Sequence, residues 1–118
     1  MDFGNEVKAA VADLEETLRL SRRLDVGFDD RRKEAIEQRR DISEKLARLS
    51  SAAQAIPDIH ARSTFLSALS KMRAALAVHQ ASWPIVTIDQ TNPTYLASIK
   101  AARSAYEQFF DWVRAQSR

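Results

Sequence analysis

Five residues in this chain break helices by their own chemistry, Gly4, Gly27, Pro57, Pro84 and Pro93, and where they fall limits the fold more than any other feature. A proline inside a helix removes a hydrogen bond and clashes with the carbonyl one turn back, at a cost of about 3 kcal/mol. Gly27, Pro57 and the Pro84 to Pro93 interval therefore cut the chain into four stretches of similar length. Each would be roughly 35 Å long as a helix at about 1.5 Å per residue. Two glycines and three prolines are too few for the many tight turns of an all-β fold, while Ala, Leu, Arg, Glu and Gln, all good helix formers, are abundant. Matched lengths with short connections predict one all-α domain, an antiparallel four-helix up-down-up-down bundle with helices near 3–25, 29–55, 58–82 and 93–115. With 118 residues the chain is long enough to hold a core without staples. It has no cysteine, which excludes disulfides, thiolate zinc ligands and a Cys nucleophile.

The periodicity supports this division. In the first stretch Val7, Ala10, Val11, Leu14 and Leu18 recur at intervals of three and four, with Asp2 or Asn5 as candidate N-caps and Arg22 and Arg23 at the negative end. The second stretch is expected to start at Asp29 or Asp30 and to bury Ile36, Ile42, Leu46, Leu49 and Ala53. Its first half is charged and faces water, with Lys33 and Glu37, Arg40 and Glu44, Asp41 and Lys45, and Glu44 and Arg48 placed for i,i+4 pairs. Ile59, Leu66, Leu69, Met72 and Leu76 mark the third helix, with Asp58 in its first turn. The fourth has the clearest start, Asn92 as N-cap and Pro93 at the first helical position, followed by Leu96, Ile99, Ala102, Tyr106, Phe109 and Val113.

Residues 84–91 admit three readings. The third helix stops near Ser82, leaving room for a short extra helix; or it continues past a kink at Trp83-Pro84 to about Gln90; or the segment is extended. Ile85, Val86, Thr87 and Ile88 suit a strand, but no second strand is available to pair with them, which makes the extended form the poorest of the three.

Few residues announce chemistry. His60 and His79 stand nineteen positions apart on one helix, nearly 30 Å at the helical rise, and cannot share a metal within one chain. They read as ordinary histidines, with a phosphate-accepting role lacking any specific neighbour. No Gly-x-Ser-x-Gly, Gly-rich phosphate loop or paired Glu-x-x-His motif is present, so neither a catalytic nor a metal site is expected, and no cofactor. Arg39, Arg40 and Lys45 gather cationic groups on one helix, but nothing else in the sequence extends them into an enzyme's site. The N-terminus does not resemble a secretory signal and no stretch is apolar enough to span a bilayer, from which a cytoplasmic chain without a membrane partner is expected.

Two clusters remain. Around the first turn, Arg22, Arg23, Arg31, Arg32 and Lys33 form a basic corner that could bind phosphate or nucleic acid. Against this, acids are interleaved: residues 1–48 hold 11 basic and 12 acidic groups, and mixed charge of this kind is an ordinary solvated surface. On the fourth helix, Phe109, Phe110, Trp112 and Val113 span an arc of about 160°, wider than one neighbouring helix covers. Phe110 and Trp112 either pack against the two adjacent helices or, with Trp83, Ile85 and Ile88, contact another protein or a second copy. The leading expectation is thus a small protein-interaction module, an adaptor, chaperone-like or regulatory bundle capable of forming a homodimer. Binding of nucleic acid or phosphate at the basic corner is one alternative, and an enzyme with a buried pocket that lacks a motif is the other.

Overall fold

The computed structural model describes residues 1–25 and 27–116. It is all-α: α1 spans Asn5–Ser21, α2 Arg32–Gln54, α3 Ile59–Ser82 and α4 Pro93–Gln116, with single turns of 3-10 helix at Arg22–Asp25, Phe28–Arg31 and Ile85–Thr87. The molecule is a rod of 45 × 23 × 22 Å, as four helices of such length lying side by side require.

Side-chain pairs give the relative direction of each neighbouring pair. Between α1 and α4, Glu15 meets Arg114, Arg22 meets Glu107, and Asp25, just past α1, meets Arg103, so positions rise on one helix as they fall on the other. The same reversal relates Asp13 and Thr17 of α1 to Lys45 and Gln38 of α2. Phe65, His79 and Trp83 meet Phe109, Ser98 and Tyr95 in descending order across α3 and α4. Adjacent helices are therefore antiparallel, and Met1 reaches the last turn of α4, its ammonium donating to the Gln116 carbonyl at 3.0 Å.

Local chemistry sets the boundaries, with several corrections to the sequence expectations. α1 is two residues shorter at its start than expected and is capped by neither Asp2 nor Asn5. Instead Gly4, at φ 88, is the N-cap residue, and Asp2 Oδ1 accepts from its N–H at 2.8 Å. Beyond Ser21 the α-helix tightens to 3-10 geometry and ends before Gly27, whose φ of 66 is a left-handed conformation that glycine adopts without penalty. Neither Asp29 nor Asp30 caps α2, because both lie in the following 3-10 turn, and Asp29 pairs with Arg32. Asp58, by contrast, is the N-cap of α3, its Oδ1 accepting from Ala61 N–H at 2.8 Å. Asn92 does the same for Thr94 at the start of α4, also at 2.8 Å. α3 stops at Ser82, and a separate 3-10 turn follows Pro84.

Most of the expected positions are buried on α3 and α4, and the departures fall mainly at the helix starts. On α3 the buried positions are Ala61, Phe65, Leu69, Met72, Leu76 and His79; on α4 they include Tyr95, Ala102, Tyr106, Phe109, Phe110 and Val113. Ile36, Ile59 and Leu96, all expected inside, are exposed, Ile59 at 73%. Ile59 and Leu96 lie in first turns, and Ile36 is one position, hence about 100°, off the stripe that begins at Ala35. One end of the bundle, where the termini meet the α2–α3 turn, is filled by rings: Phe65 stacks edge-on to Phe3 at 4.9 Å and to Phe109 at 5.7 Å, and Trp112 covers Phe3. Midway, the Lys45 ammonium bridges α1 and α2, bonding Asp13, Asp41 and the Thr17 hydroxyl. Burial opposes its charge, but the two carboxylates outweigh that and raise its pKa.

Candidate functional site

The opposite end of the bundle is built differently. There both interhelical connections converge, and a second, smaller apolar cluster of Leu24, Ala35, Ile88 and Tyr95, edged by Trp83, Ile85 and Ile99, stands apart from the main core. Residues 83–91 cross this end as a strap held by hydrogen bonds to its own backbone. The Arg32 guanidinium donates to the carbonyls of Ile85 and Ile88, Arg39 Nη2 to that of Trp83 at 2.8 Å, and Gln90 donates to Leu24 at 3.3 Å. These bonds tie the strap to α2 and to the α1–α2 connection.

A cavity of about 100 Å³, partly open to solvent, lies between the two clusters. Its apolar wall comes from every helix: Leu18 of α1, Ile42 of α2, Leu76 of α3, Ile99 of α4, with Leu24 and Ile88 from the connections. The polar wall holds Arg39, His79, Tyr95, Arg103, Tyr106 and Asp25. A mostly apolar recess with a few convergent polar groups is the general form of a small-molecule site.

Each polar group has a definable state. His79 is 5% exposed and its Nδ1 lies 2.7 Å from the Ser98 hydroxyl. Burial pushes its pKa down to about 4, with the nearby charges of Arg39 and Arg103 acting in the same direction, so the imidazole is neutral at neutral pH. The Arg103 Nη2 sits 2.8 Å from both oxygens of Asp25, and the two charges cancel. Burial raises the Tyr95 pKa, Asp25 adding to the effect while Arg103 and Arg39 oppose it, and its ring packs edge-on against Trp83 at 5.3 Å. The Tyr106 hydroxyl is buried without a hydrogen-bond partner. Arg39 is half-buried and forms no ion pair with a carboxylate among the described residues; desolvation lowers its pKa, which the Tyr95 phenol only partly offsets.

The residues singled out by sequence distribute unevenly over this geometry. Of the apolar candidates, Trp83 and Ile85 edge the second cluster with part of their surface exposed, and Ile88 is buried in it. Phe110 is buried in the main core at 2% exposure, and Trp112 is partly buried against it. Ile88 and Phe110 thus turn inward, and the aromatic arc of α4 packs against its own neighbours and Phe3, the first of the two readings given above. Of the basic corner, Arg22 pairs with Glu107, Arg23 with Glu34 at 3.9 Å, and Arg32 with Asp29, while Arg31 donates to the Arg23 carbonyl. The pKa of Arg22 is raised by the Tyr106 phenol beside it and by Glu107; since the phenol oxygen makes no hydrogen bond of normal geometry, its effect is that of a nearby charge or dipole. Lys33 is exposed.

Sequence reasoning treated His79 as an ordinary edge residue and gave no role to Tyr95 or Arg103. A signal did exist for the first: His79 continues the three-and-four spacing of Leu69, Met72 and Leu76 on α3, so a polar ring had to enter the core. Among the described residues no group of three or more His, Asp or Glu is placed to hold a metal ion, and no helix is long and apolar enough to cross a membrane. Compared with known protein families, curated proteins and solved structures, the chain matches none.

Proposed function

We propose that this bundle is a binding module whose working end is the strapped cavity, where it takes up a small molecule with a substantial apolar part. The observation that carries this is the contrast between the two ends of one rod. The ring-packed end closes around the fully buried Phe65, and the hollow beside Phe109 and Trp112 is lined by α3 and α4 alone, whereas the recess at the other end is walled by all four helices and by polar groups from three directions. Interiors normally pack to crystal-like density, and an unfilled recess sacrifices the contacts its lining atoms would make. Its retention has a reason if the space is used.

Backbone amide NMR against a panel of compounds the size of isobutanol, isobutyramide and butyrate tests the proposal. Binding should move the amide signals of Leu24, His79, Ile88 and Tyr95 saturably and leave those of Phe65 and Phe109 still. Ala35→Leu, which adds three carbons from a buried cavity-lining position, should abolish the response while keeping or raising stability. If no compound in the panel moves those signals at millimolar concentration, the proposal fails.

A protein-interaction role is the second reading, and one observation favours it: Val86 is 81% exposed at the crest of the strap, between the partly exposed Trp83 and Ile85 on one side and Thr87 on the other. A partner resting on the strap would cover it. Sedimentation velocity over a hundredfold concentration range tests the self-associating form, which a strict monomer throughout would eliminate. The basic corner gains little support as an anion site, because Arg22, Arg23, Arg31 and Arg32 are engaged by carboxylates and carbonyls of the same chain.

A further inference from the structure

Resting on the cavity proposal, we infer that the ligand is a short aliphatic carboxylate, its carboxylate paired with Arg39 and its hydrocarbon end lying between Leu24, Ile42 and Ile88. The argument starts from charge. Buried or half-buried cations are ordinarily accompanied by anions, because a guanidinium removed from bulk water loses hydration that only a counter-charge or several hydrogen bonds can replace. Two arginines hold the strap in the same way, each donating to its backbone carbonyls. Arg32 does so with Asp29 at 2.9 Å as its counter-ion. Arg39 does so without one, and it is Arg39 that lines the cavity.

The other charged and titratable groups facing the recess do not supply the missing anion. Asp25 is saturated by Arg103, both carboxylate oxygens at 2.8 Å from the same nitrogen. His79 on α3 and Tyr95 on α4 are neutral at neutral pH, and Gln38 on α2 directs its amide to the Thr17 carbonyl at 2.9 Å. The wall therefore carries one net positive charge. Arg39 has five N–H donors, one of which is shown engaged with Trp83, and a carboxylate suits the planar fork that remains. Size sets the remainder of the molecule. An engineered apolar cavity of about 150 Å³ holds benzene, so a recess of about 100 Å³ accommodates roughly four or five non-hydrogen atoms, with more where it opens to solvent. That is the scale of propionate to isobutyrate and too small for a nucleotide, and the apolar side of the wall suits hydrocarbon in a way no inorganic anion of similar size can match.

The test compares isobutyrate with its neutral isostere isobutyramide and with inorganic phosphate, using the intact chain at pH 7 and following the amide signals of Leu24, Ile88 and Tyr95. Isobutyrate should bind at least tenfold more tightly than isobutyramide, and phosphate should not compete. Arg39→Met should remove that tenfold preference while leaving the amide's weak binding in place. Equal affinity for acid and amide in the native chain overturns the inference yet leaves the cavity proposal standing, as does an Arg39→Met variant that still prefers the acid. Phosphate displacing isobutyrate overturns it too, by making the site a plain anion site, whereas silence from every compound removes both. Should Arg39→Met fail to fold, the acid against amide comparison in the native chain decides alone.

Discussion

Acidification should weaken this protein in a window that belongs to one side chain. His79 is folded into the cavity wall with a pKa near 4, and its ordinary value is 6.5. Between those values the unfolded chain holds a proton that the folded chain refuses, so stability is complete above about pH 6.5 and is lost as the pH falls toward 4. Carrying the difference through the two titration curves gives a loss of about 2 kcal/mol between pH 7 and pH 5, approaching about 3 kcal/mol below pH 4. At 5% exposure the imidazole is largely hidden from solvent, so screening removes little of this. For a chain of 118 residues the unfolding entropy is about 0.25 kcal/mol/K, and the midpoint should fall by about 7 °C over those two pH units. Urea titrations followed by circular dichroism at pH 7, 6 and 5 measure the change. A His60→Gln background leaves His79 as the sole histidine, and His79→Gln in that background removes the effect while retaining a polar partner for Ser98. The reasoning is refuted if both chains lose the same stability between pH 7 and 5, or if the His79 ring titrates in the folded protein with a midpoint near 6.5.

Other substitutions probe the frame around the site. Phe65→Ala empties the centre of the ring-packed end, where the side chain is fully buried among Phe3, Phe109 and Trp112, and should cost about 3–5 kcal/mol in urea unfolding. Asp58→Ala removes the N-cap bond to Ala61 and should cost about 1 kcal/mol, with Asp58→Asn recovering most of it. Val86→Asp, at an exposed position on the strap, should change stability by less than about 0.5 kcal/mol, which makes it a safe probe of any partner that covers the strap.

Comparison of these elements shows where sequence patterns are informative. The start of α4 was legible because Asn92 and Pro93 act on groups within one turn of themselves. The stop of α3 was visible for the same reason, since Pro84 denies a hydrogen bond to the residue four before it, and the structure ends the helix at Ser82 with a separate turn beyond. The faces were less legible. Ile59 and Leu96 fit the apolar spacing and are exposed, whereas Phe65 and Tyr95 carry the actual contacts, because a helix of mixed composition supports more than one stripe and its neighbours choose between them. The aromatic arc of Phe109, Phe110 and Trp112 looked wider than one helix could cover. In the structure Phe3, from the segment before α1, helps to cover it, a contact across most of the chain that no local pattern encodes.

The sequence by itself determined the class of fold, the number of helices and the places where they break, all consequences of backbone geometry and capping that act over a few residues. Tertiary structure alone decided that one end closes around Phe65 while the other walls a recess with all four helices, and that Arg39, His79, Tyr95 and Arg103 share a wall. The bonds that assemble that wall join residues 44 and 78 positions apart, Arg39 to Trp83 and Asp25 to Arg103, and such pairings exist only once four helices have settled in a common register. The charge on Arg39 and the ring of His79 were plain in the sequence. What the fold added was their removal from water, and it is desolvation, not identity, that turns an arginine into an anion site and a histidine into an acid-sensitive joint.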